Sequence, residues 1–224
     1  MVSSKQFLSR YDNGLIKHEA LYGLPNEVVY CSNCVISNQR PNSAIEYSHK
    51  KSSQKTTIRI DNQNICDACK LSERKRFEIN WSEREQELRE LCDRYRTNGE
   101  RYDCLVPGSG GKDSFYAAHL LKYKYGMNPL TVTWSPHMYT DWGWRNFQAW
   151  VNAGFDNYLI TPNPRTHRLI TRLAVENLFH PFQPFILGQK SLAPKIAAQF
   201  DIPLVFYGEN EAEHGNPISD NSSS

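Results

Sequence analysis

The chain has 224 residues, 39% hydrophobic and 22% charged, enough for one ordinary core and a smaller module. Its 26 basic and 24 acidic side chains leave a formal charge of +2, and splitting after Glu100 gives 16 against 14, then 10 against 10. Neither part has the positive excess of a dedicated nucleic-acid binder, no apolar run approaches the roughly 20 residues that cross a bilayer, and the N-terminus lacks the apolar stretch of a secretory signal. The expectation is a cytoplasmic chain with no membrane span and no nucleic-acid partner.

Residues 1–30 show little period, and "PNEVVYCSNC" reads as a short strand entering a knuckle turn. Cys31-x-x-Cys34 and Cys66-x-x-Cys69 follow, with 31 residues between the pairs. Each pair fits a tight turn and offers two thiolates, and four such ligands are what a structural zinc ion takes. Unligated thiols and an iron–sulfur cluster are the alternatives. A closed four-Cys site leaves no position for water, so the metal holds the module together. Few large apolar residues lie between Tyr30 and Leu71, so a core without metal is hard to build there. Between the pairs, the Lys/Ser-rich stretch from His49 to Lys55 reads as an exposed hairpin tip or mobile loop, and "TTIRID" as a half-buried strand.

"WSEREQELRELCDRYRTNG" predicts a helix. Ser82 stands at the cap, Glu85 three residues on, and Leu88, Leu91, Cys92 and Tyr95 repeat at helical spacing before Asn98-Gly99. Cys92 on its apolar face and Cys104 in the next strand read as core residues. The expected division is a zinc module over 1–80, a connecting helix over 81–100, a nucleotide domain over 101–213 and a disordered tail over 214–224.

From Tyr102 the pattern alternates. Strands are predicted at "YDCLVPG", "PLTVTW", "NYLITP" and "IPLVFYG". Helices are predicted over Ser114–Tyr125, Trp142–Asn152, Arg165–Leu178 and "SLAPKIAAQF", with Pro194 in the first turn of the last. This order implies an α/β fold: a parallel, doubly wound sheet with helices on both faces.

The stretch "LVPGSGGKDSFYAAHLL", Leu105 to Leu121, joins the first of these strands to its helix. A strand, a glycine-rich turn and a helix start build an anion site, because the helix N-terminus presents free N–H groups and a positive dipole end. Gly108, Gly110 and Gly111 permit a tight turn and close approach to the backbone. Lys112 adds a positive charge, while Ser109 and Ser114 add hydroxyls. Asp113 would repel an anion unless it held a cation, so Mg2+ is the natural companion. The pattern is neither G-x-x-x-x-G-K-[ST], since Asp113 follows Lys112, nor G-x-G-x-x-G.

"SGGKDS", Ser109 to Ser114, resembles the pyrophosphate loop of the ATP pyrophosphatase superfamily, whose sheet is of the adenine-nucleotide α-hydrolase type. That resemblance implies cleavage of ATP between its α- and β-phosphates to activate a carbonyl oxygen. It assigns Ser109, Gly110, Gly111, Lys112, Asp113 and Ser114 to ATP and Mg2+, with Lys112 and Asp113 as the catalytic pair. Val106, Pro107, Thr133 and Trp134, at the ends of two strands, would lie near the nucleotide. The four-Cys module, "LVPGSGGKDS" and the stretch "PLTVTWSPHMYTDWGWRNFQAWVNAGFDNYLITPN" together resemble the N-acetyl sugar amidotransferases of surface-polysaccharide biosynthesis, the lipopolysaccharide WbpG-like group, from about Val28 to Asn210. Membership implies that an acetamido group on a nucleotide-linked N-acetyl sugar becomes acetamidino during O-antigen assembly. Ammonia would come from glutaminase and cyclase-like partner subunits. Chains of that group continue well past this length, which implies a C-terminally truncated nucleotide domain.

Trp134, Tyr139, Trp142 and Trp144, with His137 and Asp141 among them, suit a sugar or nucleobase pocket or helix packing. His137 is a candidate general base or a structural histidine. Arg165, Arg168 and Arg172 form a helix face for a substrate phosphate or a solvated basic face. Glu209, after the last strand, is a candidate for metal or substrate or a helix cap. Two rival functions are a tRNA thiolation enzyme, against which the absence of cysteine after Cys104 speaks, and a non-catalytic nucleotide-binding partner subunit.

Overall fold

The computed structural model describes residues 23–42, 50, 52–54 and 56–209. The expected tail over 214–224, with His49, Lys51 and Lys55 of the Lys/Ser-rich stretch, lies outside the described residues. The chain divides into two compact units, one ending at Ile79 and the other running Asn80–Asn210.

The first unit has little regular structure. Among the described residues its helix is α1 (Asp67–Phe77), capped by Cys66, whose sulfur accepts a hydrogen bond from the Cys69 amide. Asp67 in its first turn and Arg74, Lys75 and Arg76 in its last all complement the helix dipole. Single antiparallel bridges join Tyr30 to Ser37, Pro41 to Thr57 and Ile60 to Cys66. The strand expected over "TTIRID" is reduced to two of these bridges. Asp61 ends it by turning its carboxylate onto the Gln63 and Ile65 amides, both at 2.9 Å, an Asx turn that diverts the backbone from a ladder. Cys31, Ile58 and Cys66 are buried, with Ile36, Ile60, Ala68 and Cys69 packed on them. That small core agrees with a module that depends on something other than apolar burial.

The second unit opens with α2 (Trp81–Tyr95) and alternates thereafter. Its elements are β1 (Cys104–Pro107), α3 (Lys112–His119), β2 (Pro129–Trp134), α4 (Asp141–Asn152), β3 (Asp156–Ile160), α5 (Pro164–Leu178) and α6 (Gln183–Gln199). A π-helical turn, Leu120–Lys124, extends α3. The sheet is parallel with order β1-β2-β3; Leu105 aligns with Leu130, and Val132 with Tyr158. On the free side of β1, Val205 bridges Leu105 in parallel, the Leu105 amide donating to Leu204 and the Phe206 amide to Leu105, each at 2.9 Å. The strand expected over 202–208 is thus a single bridge. Chain order therefore reverses at β1, the kind of point beside whose carboxyl ends open α/β sheets bind ligands.

Helices cover both faces. Cys104 and Val106 pack with Cys92 of α2, Ala118 of α3 and Phe147 and Trp150 of α4. Leu105, Leu130 and Val132 pack with Leu192, Ala193, Ile196 and Ala197 of α6. The helix expected as a connector belongs to this unit, since Leu88 and Cys92 enter the first of these clusters. Its cap is Asn80, not Ser82: Asn80 Oδ1 accepts from the Glu83 amide at 3.3 Å, and Glu85 pairs with Arg89 and Lys124 instead of closing a capping box. Helix α6 starts eight residues before the predicted "SLAPKIAAQF" and carries Pro194 in its interior. The burial of Leu192, Ala193, Ile196 and Ala197 around it offsets the lost hydrogen bond, as tertiary packing overrides propensity.

Candidate nucleotide site and metal centre

The Sγ atoms of Cys31, Cys34, Cys66 and Cys69 all lie within 4.8 Å of one another. Cys34 and Cys66 sulfurs are 3.5 Å apart, and those of Cys31 and Cys69 are 3.9 Å apart. Four sulfurs each about 2.3 Å from one zinc ion stand about 3.8 Å from each other, so the cluster already has the spacing of a tetrahedral site. Backbone amides of Asn33 and Cys66 point at the Cys31 sulfur from 3.4 and 3.3 Å. Burial acts to raise the Cys31 thiol, but these amides and that of Cys34 outweigh it and hold it down to about 6. Burial, with the crowding of the other three sulfurs, pushes Cys69 up to about 12. A doubly positive ion among the four sulfurs relieves that conflict, and the donor set fits zinc. A metal ion held there would have four sulfur ligands and no open position, the arrangement of a structural site.

In the second unit, the loop after β1 is shaped by two glycines. Gly110 has φ +88°, and a Cβ on it would stand 2.2 Å from the Asn146 carbonyl oxygen of α4. A Cβ on Gly108 would meet Ser114 Oγ at 2.6 Å. Gly111 differs: its φ is −65° and a Cβ there would meet nothing within 4 Å. It is the N-cap of α3, with no side chain capping the first turn. The helix begins at Lys112, two residues before the predicted start, because the Gly111 carbonyl accepts the Phe115 amide at 3.0 Å. Lys112 and Asp113 therefore lie inside the first turn and Ser109 lies exposed in the loop before it. An uncapped helix start facing an open glycine is an anion-binding arrangement.

The charged groups around it are coupled. Lys112 Nζ is 2.7 Å from Asp113 Oδ1, with both side chains exposed. That hydrogen bond, and the charges of Asp113 and Glu209, raise the Lys112 ammonium above its usual range. Glu209 is brought here by Gly208, where an added Cβ would stand 2.4 Å from the Ser114 nitrogen. The segment flanking β1 thus runs directly onto the first turn of α3. Sequence reasoning placed Glu209 at the end of a strand but did not foresee the close packing of Gly208; the Gly-Glu pair after an apolar run was the available signal.

Other residues expected near a nucleotide divide into two groups. Val106 and Thr133 are fully buried, so neither presents a surface to a ligand. Thr133 donates its hydroxyl to the Gly108 carbonyl at 2.7 Å and so anchors the loop. Pro107 ends β1 half-buried. Trp134 ends β2 against α6, where Gly188 leaves room for its ring. Tyr139 and Trp144 stand against Phe147, at ring distances of 5.9 and 5.7 Å; Tyr139 packs on the core, while Trp144 is exposed. Trp142 and Asp141 are exposed, with the Arg145 guanidinium over the Trp142 ring. Arg165, Arg168 and Arg172 are exposed on α5, Arg172 paired with Glu176. His137, just past β2, stands beside His167 of α5, a residue that sequence reasoning missed. Burial and the His137 ring hold His167 below the usual imidazole range.

Among the described residues no helix is long and apolar enough to cross a membrane. No family model matches the chain. It is 33% identical over 81 residues to the uncharacterized protein MJ1599 of Methanocaldococcus jannaschii, a stretch that covers 36% of this chain and 28% of that protein. The match therefore spans little more than a quarter of the relative's length.

Proposed function

We propose that the chain is an ATP-dependent amidotransferase that converts the acetamido group of a nucleotide-linked N-acetyl sugar to acetamidino in surface-polysaccharide assembly. In this proposal the second unit is an adenine-nucleotide α-hydrolase type domain of the ATP pyrophosphatase superfamily. The observation that carries it is the uncapped start of α3, beside the point where strand order reverses, with Ser109, Lys112, Asp113 and Ser114 around it. A triphosphate end fits this geometry: amides of the first turn meet the oxygens, Lys112 neutralises charge, and Asp113 and Glu209 offer carboxylates to Mg2+. ATP supplies the leaving group, turning an amide oxygen into part of AMP.

The residues then have separable tasks. Gly108, Gly110 and Thr133 fix the loop. Lys112 and the first-turn amides stabilise the charge that develops on departing pyrophosphate. Displacement of AMP by ammonia, supplied by glutaminase and cyclase-like subunits, completes the reaction without a protein nucleophile. The buried Cys104 thiol is pushed up to about 12 by burial, and Cys92 is buried too and raised. Neither suits a sulfur carrier, which weighs against a tRNA thiolation enzyme.

The test is mass spectrometry of UDP-N-acetyl sugars incubated with the protein, ATP, Mg2+ and ammonium. The expected result is replacement of the acetamido oxygen by nitrogen, with AMP and pyrophosphate formed in equal amount, and loss of both in Lys112→Met. ATP binding with no product from any acetamido sugar would sink the proposal and favour a nucleotide-binding partner subunit.

A further inference from the structure

At the carboxyl end of β2 two histidines from distant parts of the chain come together. The rings of His137 and His167 lie 4.6 Å apart, inclined by 31°. Phe182 and Phe185 stand 6.3 and 5.9 Å from His137, and Trp134 stands 6.4 Å from His167. His137 is exposed and His167 is partly buried, its Nε2 enclosed without a hydrogen-bond partner. Trp134 Nε1 and Gln183 Oε1 are likewise enclosed and unpartnered. Buried polar atoms are normally satisfied, so several left open around one aromatic cluster mark a place that a polar ligand completes. The cluster is near the glycine loop along the sheet: Thr133, which holds Gly108, is the residue before Trp134.

We propose that His137 and His167 form one proton-accepting unit serving the attack of ammonia on the activated amide, with His137 in contact with the reacting nitrogen and His167 positioning it. This rests on the amidotransferase function above. The step balances as follows. Ammonia forms a C–N bond to the carbon of the O-adenylated amide, and its nitrogen becomes cationic. One proton passes from that nitrogen to the imidazole of His137. The C–O bond to AMP then breaks, its electron pair leaving with AMP, and the product is the amidinium.

Two rings at this distance oppose double protonation, because a second positive charge would stand against the first. The pair therefore favours a single shared proton over two. Phe182, Phe185 and Gln183 of the α6 end carry no charge, nor does Trp134 of β2. On α5 the flanking Arg165 and Arg168 are exposed, and His137 is the charged group that acts on His167.

The experiment measures pyrophosphate release and amidino-product formation separately, against pH, in the parent, His137→Gln and His167→Gln, alongside NMR titration of the imidazoles. The expected result for His137→Gln is pyrophosphate release as in the parent with product formed about a hundred-fold more slowly or worse, and without the imidazole limb of the profile. His167→Gln is expected to slow product formation while pyrophosphate release and the imidazole limb of the profile stay in place, since the residue that positions His137 is removed and the proton acceptor is not. Unchanged product rates and profiles in both variants would overturn the proposal. So would two independent imidazole titrations in the parent. If the parent releases no pyrophosphate with any N-acetyl sugar, the amidotransferase function fails instead; the NMR titration still decides the pair, one shared proton supporting it and two independent curves overturning it.

Discussion

Thr133 donates its hydroxyl to the Gly108 carbonyl across 2.7 Å, tying the end of β2 to the first glycine of the loop after β1. Asn157 of β3 donates to Thr133 Oγ1 at 3.2 Å and to Thr131 Oγ1 at 2.9 Å, so two strands and the loop after β1 contribute to this polar row. Thr133→Val keeps the shape and removes the hydroxyl. The cost expected is about 1–3 kcal/mol, that of leaving buried groups unsatisfied. Thr133→Ser should restore most of it. Urea denaturation measures the loss, and nucleotide titration should show weaker ATP binding in the valine variant alone. An unchanged denaturation midpoint in Thr133→Val would mean that the row does not hold the loop.

The two glycines that follow should respond in opposite ways. Gly110→Ala must adopt φ +88° and place a methyl 2.2 Å from a backbone oxygen of α4. Left-handed strain alone costs about 1–3 kcal/mol, and the collision with backbone adds to it. Gly111→Ala meets open space at an ordinary φ of −65°. Its stability should stay within about 0.5 kcal/mol of the parent. Its methyl, however, stands at the uncapped start of α3, so ATP affinity should fall while the melting curve does not move. Calorimetry of both variants with and without ATP separates the two effects.

What was legible in the sequence were features written in neighbouring residues. β2 was read correctly over Pro129–Trp134 because its first five residues are all buried and the run is apolar and β-branched. The cysteine spacing anticipated a cluster that the fold does assemble. What was not legible came from long-range contact. Asp103 looks like an ordinary strand-edge carboxylate, yet it is buried, accepting from the Thr97 and Asn128 amides at 2.6 and 2.7 Å and joining the end of α2 to the sheet. His137 and His167 are on different elements, and nothing in either local pattern links them. Helix starts shift for a local reason: capped by Asn80, Gly111 and Thr140, they fall one or two residues ahead of the predicted positions.

Asp61 offers a pH-dependent test in the cysteine module. Its carboxylate accepts from Lys70 Nζ at 2.8 Å and from the Gln63 and Ile65 amides. The Lys70 contact first, then the Ile65 amide, hold it below the usual carboxylate range. A folded pKa below the unfolded one contributes stability that is complete above the unfolded value and is lost as pH falls through the folded value. Asp61→Asn should therefore unfold more readily than the parent at neutral pH, and the difference should shrink to nothing in acid. Comparing the two proteins at each pH cancels the loss of metal common to both. A difference that persists unchanged below the carboxylate range would show that shape, not charge, matters at this turn.

Metal removal should act on one unit. The cap of α1 is Cys66, and Cys69 lies in its first turn, so the ligands and the helix start are the same residues. At 11 residues the helix is too short to persist alone in water, and among the described residues the core beside it holds Cys31, Ile58 and Cys66 as enclosed side chains. Zinc binding in such a module is much of its folding free energy. One zinc per chain is expected by elemental analysis, and a strong chelator should abolish α1. All five tryptophans lie at position 81 or beyond, outside this unit. Chelation should then lower the far-ultraviolet helical signal while tryptophan fluorescence stays as it was, and Cys69→Ser should reproduce the change without chelator. Cobalt in place of zinc should give the absorption of a tetrahedral thiolate site. A chelator that strips metal and leaves the helical signal intact would show that the four cysteines are not what folds the module.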